Sequence, residues 1–430
     1  MREYICNGIY EGEDVKEKFK MTKLERYWIL YDVGNSAFIL LASTLLPIYF
    51  NYLSESAGIS SVDYLAYWGY AMSFVTLFVA LTGPIFGTIA DTKGYKKKLL
   101  IGSIILGTVS CALLGTTTSW VVFLGVFILA KIGYASSLIF YDAMLTDVTE
   151  VERMDTVSTQ GFAWGYIGSC IPFCIGLVLV LGADIWGLTM EVAMTITFVL
   201  IAVWWAVVSL PLLKNYKQIH YVEFQNHVVS ESFLRIKDTF KDIKNEKHIF
   251  MFLLAFFFYI DGVYTIIDMA TAYGEALGLD STGLLLALLV TQIVAFPASI
   301  TFGILSRKYN NKNLITICIM AYTGIAIFGY LLETQMQFWI LAVCVGLFQG
   351  GIQALSRSYF AKIIPPEKSG EYFGIFDICG KGASFLGTFL VGSVSQITGS
   401  INLGIGMIAI LFFIGLVIFR KSAKLIENKE

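Results

Sequence analysis

The sequence predicts an all-α membrane protein whose roughly twelve transmembrane helices form two six-helix halves. Three observations predict it: the composition, the recurrence of apolar stretches of spanning length, and one long polar interruption near the middle. Of 430 residues, 57% are hydrophobic and only 14% are charged, and the mean hydropathy is +0.71. A water-facing surface cannot be built from so few charges, whereas a lipid-facing one needs none. Crossing about 30 Å of hydrocarbon takes about 20 apolar residues as a helix. Stretches of that order recur at 27–53, 64–90, 99–116, 119–142, 157–181 and 192–212, and again at 248–274, 282–305, 314–332, 337–361, 371–395 and 400–419.

The polar stretch 213–247 separates the two sets and is far longer than the other connections. It divides the chain into a tail (1–26), a first bundle (27–212), a linker (213–247), a second bundle (248–420) and a short tail (421–430). In the linker, Phe233, Ile236, Phe240 and Ile243 recur at helical spacing between Arg235, Lys237, Lys241 and Lys244. That pattern reads either as an amphipathic helix on the membrane surface or as a solvated connecting helix. Residues Met1 to Lys20 carry no apolar core and no small-residue cleavage site, so the first span is expected to act as the insertion signal.

Lys and Arg in the short connections set the expected orientation. Connections 54–63, 117–118, 182–191, 275–281, 333–336 and 396–399 contain neither. The alternate connections carry Lys93, Lys96, Lys97, Lys98, Arg153, Arg307, Lys308, Lys312, Lys362 and Lys368. Both termini are therefore expected on the cytoplasmic side of a multi-pass protein, in the cell membrane if the source is bacterial. The net charge of −2 argues against nucleic acid as a partner. The seven cysteines lie almost entirely within apolar stretches, which suits packing rather than a disulfide framework. No metal-binding, phosphate-loop or nucleophile-elbow motif is present, so the sequence suggests neither an enzyme nor a cofactor.

An ionisable side chain at membrane depth costs roughly 2.5–3.5 kcal/mol on insertion scales, so each one needs a reason. They are Asp32 in span 1, Lys131 in span 4, Asp261 and Asp268 in span 7, Arg357 in span 10, and Asp377 with Lys381 in span 11. Lys131 lies too deep to reach an interface comfortably, so it faces either a solute cavity or an acidic partner. Asp261, Tyr264 and Asp268 share one helical face. A buried carboxylate there can alternate between charged and neutral forms, as proton coupling requires, or pair permanently with Lys131 or Lys381. Asp377 and Lys381, four residues apart, can neutralise each other. Asp32 and Arg357, nearer the cytoplasmic ends, suit a gate as well as a binding site. Asn35 adds an amide near the same depth. Charges of both signs in one cavity suit a zwitterion such as an amino acid, leaving open an exporter of organic anions or amphiphiles and a non-transporting sensor.

The segment Gly87-Thr-Ile-Ala-Asp91-Thr-Lys93-Gly94-Tyr-Lys96-Lys97-Lys98 resembles the loop signature between helices 2 and 3 of the major facilitator superfamily, and Gly303 to Lys312 is a degraded second copy. Gly87 permits close helix approach, Gly94 permits a tight turn, and Asp91 can face a neighbouring helix N-terminus. Tyr31 to Phe38, Gly350 to Ser358, and Pro365-Pro366 followed by Glu371 to Lys381 resemble the vacuolar amino-acid effluxer family and its bacterial relatives. Where that family has Trp-Ala, this chain has Val33-Gly34. The resemblance covers essentially the whole chain. It implies the major facilitator fold, with spans 1, 4, 7, 10 and 11 bordering the cavity and spans 3, 6, 9 and 12 facing lipid. The duplicated halves suit alternating access by rocking, the buried acids make the proton the candidate coupling ion for an amino-acid solute, and the family's eukaryotic branch implies the vacuolar membrane as the alternative location.

Overall fold

The computed structural model describes residues 20–59, 61–117, 119–223, 239, 241 and 243–427; among these the side chains of 61, 62, 65, 66, 271, 272, 275, 276, 281, 282, 285, 381–385, 426 and 427 are not described. The linker helix expected around Phe233 to Ile243 therefore lies outside the described residues, apart from a few positions.

Span 1 starts on a capping box: the Thr22 hydroxyl accepts from Glu25 N, and Thr22 N donates to the Glu25 carboxylate. The span is two helices, Lys23–Ser43 and Leu45–Ser56. Pro47 explains the break, because it offers no N–H to the Ser43 carbonyl and its ring crowds that carbonyl. Spans 2 to 6 are Ser61–Ala90, Tyr95–Leu113, Trp120–Ala143, Met154–Leu181 and Met190–Asn215; spans 7 to 12 are Lys247–Ala276, Ser281–Leu305, Asn311–Tyr330, Gln335–Ile363, Ser369–Thr398 and Ile401–Glu427. Eleven candidate membrane spans are found by length and apolarity among the described residues. In Ser369–Thr398, the segment Leu386–Thr398 qualifies as a shorter apolar helix.

The packing repeats with an offset of six spans. Span 1 packs on 5 and 6, span 3 on 4 and 6, and span 2 on 4; span 7 packs on 11 and 12, span 9 on 10 and 12, and span 8 on 10. Between the halves, span 2 packs on 11 as span 8 packs on 5, and span 5 packs on 10 as span 11 packs on 4. The molecule is a duplicated bundle with an approximate two-fold relation. Large apolar side chains such as Ile105 and Val109 on span 3, Val203 and Val207 on span 6, and Phe413 on span 12 point outward and exposed, as hydrocarbon requires.

The halves are joined at the face where span 1 begins and span 12 ends, here termed the terminal face. Where both side chains are described, the hydrogen bonds and ion pairs between halves lie in the nearer half of their spans, reaching as deep as Gln353 to the Tyr166 hydroxyl at 3.5 Å. At the opposite face the bonds stay within one half, such as Tyr273 to the Gly329 carbonyl and Asn402 to the Tyr330 carbonyl. After span 6 the chain straps across the terminal face. Val222 N donates to the Asp91 carbonyl at 2.8 Å, Lys93 N donates to the Val222 carbonyl at 3.1 Å, and Gln218 Nε2 donates to the Ala90 carbonyl at 3.0 Å.

Candidate functional site: a charged gap above a latched face

Midway along span 4, Lys131 is half-buried, its Nζ 5.4 Å from the Tyr134 ring centroid. Tyr134 is held in place by Phe38 and Trp205. The Lys131 charge acts on Asp268 of span 7 from across the gap. Asp268 is exposed although it lies within its span, which puts its carboxylate in the space between the halves. Tyr264, one turn before it, and Asp377 of span 11 are both half-buried, and the Asp377, Asp142 and Asp268 charges all act on Tyr264. Spans 4, 7 and 11 thus present a lysine, carboxylates and a phenol to one polar gap.

Asp261 does not share that setting. Although one helical face carries it with Tyr264 and Asp268, it is fully buried, with Oδ1 accepting from Gly387 N at 2.9 Å and from Thr265 Oγ1 at 3.5 Å. A Cβ on Gly387 would come within 2.0 Å of Thr265 Oγ1, so the carboxylate rests on span 11 because that residue has no side chain. Its Oδ2 has no hydrogen-bond partner among the described residues. No ion pair of Asp261 with Lys131 occurs among the described residues, and the Lys381 side chain lies outside them. Asn35 is buried beside Ser36, at 3.4 Å.

Toward the terminal face the gap ends on Arg357. Its guanidinium donates to Asp142 Oδ1 at 2.9 Å, to Asp32 Oδ2 at 3.5 Å, and to both the hydroxyl (3.0 Å) and carbonyl (3.1 Å) of Ser158. Trp28 and Phe162 lie beside the guanidinium at 4.7 and 4.5 Å. Tyr141 donates to Asp32 at 2.7 Å. One span-10 cation therefore fastens spans 1, 4 and 5 of the other half, and the fork geometry of Arg suits several acceptors at once.

Two further latches flank it. Asp91 accepts from Gly370 N at 2.8 Å and Glu371 N at 2.9 Å, capping the N-terminus of span 11 from the other half. Lys96, fully buried, lies 3.8 Å from Asp91 and 3.3 Å from Asp147, and donates to Ser369 Oγ at 2.8 Å. Asp147 in turn accepts from Tyr216, from His220 N and from the His220 ring. Gly94, at φ +79°, turns the chain between Asp91 and Lys96. On the other side, Asp155 meets Asn311, Ser358 and Lys362, each at 2.6 Å. Here the second loop copy contacts span 5: Arg307 Nε donates to Thr156 Oγ1 at 3.4 Å.

Asp91→Ala is expected to remove both caps and one of the two acids facing Lys96. A cap of this kind contributes about 1–2 kcal/mol, so the closed terminal face should lose about tenfold in population. The separation of spin labels on the exposed residues Lys98 and Glu367 measures it; an unchanged distance distribution would contradict the latch.

Sequence reasoning missed Asp142, Asp147 and Asp155. Acids at span ends look like ordinary interfacial residues, and nothing nearby marks their partners, which stand between 51 and 215 positions away. Asp142 carried one readable signal: it stands about three turns beyond Lys131 on the same helix face.

The chain matches the family described as "Vacuole effluxer Atg22 like" over residues 22–423. It is 41% identical over 404 residues to the "Uncharacterized MFS-type transporter YxiO" of Bacillus subtilis, covering 93% of this chain and 94% of that one. It is 25% identical over 295 residues to "Autophagy-related protein 22" of Saccharomyces cerevisiae, covering 59% of this chain and 55% of that one. Among solved structures, the transporter FucP in its outward conformation aligns with TM-score 0.71 at 13% identity, over 93% of this chain and 97% of that one. At that identity the likeness concerns the fold. With a family match spanning nearly all of the described spans, the chain belongs to the Atg22-like vacuole effluxer family and is a multi-pass transporter of the major facilitator superfamily.

Proposed function

We propose that the chain moves an amino acid out of its compartment by proton-coupled alternating access, with the first six and last six spans rocking as units. The observation that carries this reading is a lysine facing carboxylates and a tyrosine across a gap between halves whose described side-chain bonds to each other lie toward one face. Lys131 would take the solute carboxylate, while Asp268 and Asp377, with Tyr264, would take its ammonium group. Asp261, buried with one oxygen that has no hydrogen-bond partner among the described residues, would carry the coupling proton, and loss of that proton would place a charge in the packing of spans 7 and 11. The alternation of Lys and Arg among the connections supports a cytoplasmic terminal face, and the Bacillus subtilis relative supports the cell membrane. The described arrangement is then the outward-facing state.

The test is counterflow of amino acids in proteoliposomes. The parent should show saturable exchange, Lys131→Ala and Asp268→Asn should each lose it at least tenfold, and Asp261→Asn should keep exchange while losing accumulation driven by a pH gradient. Such losses correspond to about 1.4 kcal/mol or more of binding free energy. Absence of exchange for any amino acid by monodisperse parent protein would overturn the substrate; flux that ignores both pH gradient and voltage would overturn the coupling.

A further inference from the structure

Asp155 belongs to the first half, yet its carboxylate is held by the second. Asn311 Nδ2 and Ser358 Oγ meet its Oδ1 and Lys362 Nζ meets its Oδ2, all at 2.6 Å. Asn311 and Ser358 are buried, and the second half holds them in place without help: Asn311 also reaches the Leu355 carbonyl and Ser358 Oγ, and Ser358 donates to the same carbonyl. The donor array is therefore built before Asp155 arrives and persists after it leaves. A cavity of about 660 Å³ opens beside it, lined by Asp155, Asn311 and Lys362 together with His248, Tyr309 and Lys312. Arg307 adds a further positive charge nearby, while the acid Glu246 is engaged by the His248 ring at 3.3 Å.

Separation of the halves would withdraw the carboxylate these groups share and leave the Lys362 charge, with Asn311 and Ser358 held beside it, facing a basic cavity, an arrangement that favours another anion. We infer that Asn311, Ser358 and Lys362 form a site for a phosphate oxyanion, either a lipid headgroup or the free ion, which competes with Asp155 and holds the terminal face open when bound. Three donors converging from two helices suit the several oxygens of a phosphate, and the cavity is large enough for a headgroup. The inference rests on the alternating-access reading for its effect on the latch, but not for the binding itself.

Equilibrium binding of inorganic phosphate to the full chain in micelles tests the site. Asp155→Asn, which removes the internal competitor's charge, should bind phosphate at least tenfold more tightly than the parent, and the gain should vanish in Asp155→Asn/Lys362→Gln and in Asp155→Asn/Ser358→Ala. No tightening in a monodisperse Asp155→Asn protein, or tightening that survives both double variants, overturns the site. Should Asp155→Asn not fold, the parent carries the test: phosphate should lengthen the Lys98–Glu367 label separation in the parent but not in Lys362→Gln, and no difference between them overturns it. Proteoliposomes then separate the sources. Lengthening in phosphatidylglycerol but not phosphatidylcholine vesicles identifies the headgroup, lengthening only with added phosphate identifies the free ion, and lengthening in neither overturns the competition. Tight phosphate binding by Asp155→Asn in a protein whose label distances never change under any condition would uphold the site and overturn alternating access instead.

Discussion

Arg357→Gln is expected to abolish transport and to leave the terminal face open. The guanidinium is buried and is the cation that touches both Asp32 and Asp142, so its loss removes the countercharge of two largely buried carboxylates, leaves Asp32 with the Tyr141 hydroxyl, and takes a donor from the Ser158 carbonyl. Breaking a buried ion pair from one side costs about 3–5 kcal/mol, or a factor of roughly 10² to a few times 10³ in the closed population. Solute exchange should fall at least a hundredfold, and the Lys98–Glu367 labels should move apart. Arg357→Lys should recover little, because an ammonium group cannot reach Asp32, Asp142 and Ser158 from one planar fork. Adding Asp142→Asn to Arg357→Gln should restore part of the closed population by removing one stranded charge. If that second change makes no difference, Arg357 acts through packing on Trp28 and Phe162 rather than through its charge.

The second large effect is expected from Gly87→Ala. Spans 2 and 11 approach through two pairs of glycines, Gly87 with Gly370 and Gly83 with Gly374. A Cβ on Gly87 would stand 2.2 Å from the Gly370 carbonyl oxygen and 2.7 Å from its carbon, while one on Gly374 would stand 2.8 Å from the Gly83 carbonyl oxygen. The obstruction is backbone, which has no rotamer to yield, so the spans must part. Parting them pulls Asp91 from the N-terminus of span 11, and overpacking of this kind costs typically 1–3 kcal/mol before that loss is added. The variant should insert and fold, since the clash exists only in the closed arrangement, but its labels should report a terminal face open in most molecules. A Gly87→Ala protein with the parent's label distances would show that spans 2 and 11 do not bear on one another as described.

The latch, the gap and the fold were legible in the sequence to different degrees, and the reason is physical. Asp91 could be read as facing a helix N-terminus, but which helix is set by how the halves dock. Arg307 occupies the corresponding place in the second loop copy and lies against Thr156 near the start of span 5, where a cation contributes nothing to a helix cap. Its neighbour Asp155 joins the halves there instead. Similarly, helical spacing puts Asp261, Tyr264 and Asp268 on one face, and that much is geometry of the single helix. Only the packing of span 11, with Gly387 against Asp261, separates a buried carboxylate from an exposed one.

What the sequence determined by itself is the membrane-spanning all-α architecture and the spans that carry charge. Hydrocarbon screens each segment one at a time: every span must satisfy its own backbone and every buried charge needs a reason, so these properties are local and additive along the chain. What the tertiary structure alone decided is which charges meet. Arg357 reaches Asp32 across 325 positions, and Lys362 reaches Asp155 across 207. Such pairings depend on the docking of two six-span halves, a relation between distant surfaces that no local pattern encodes.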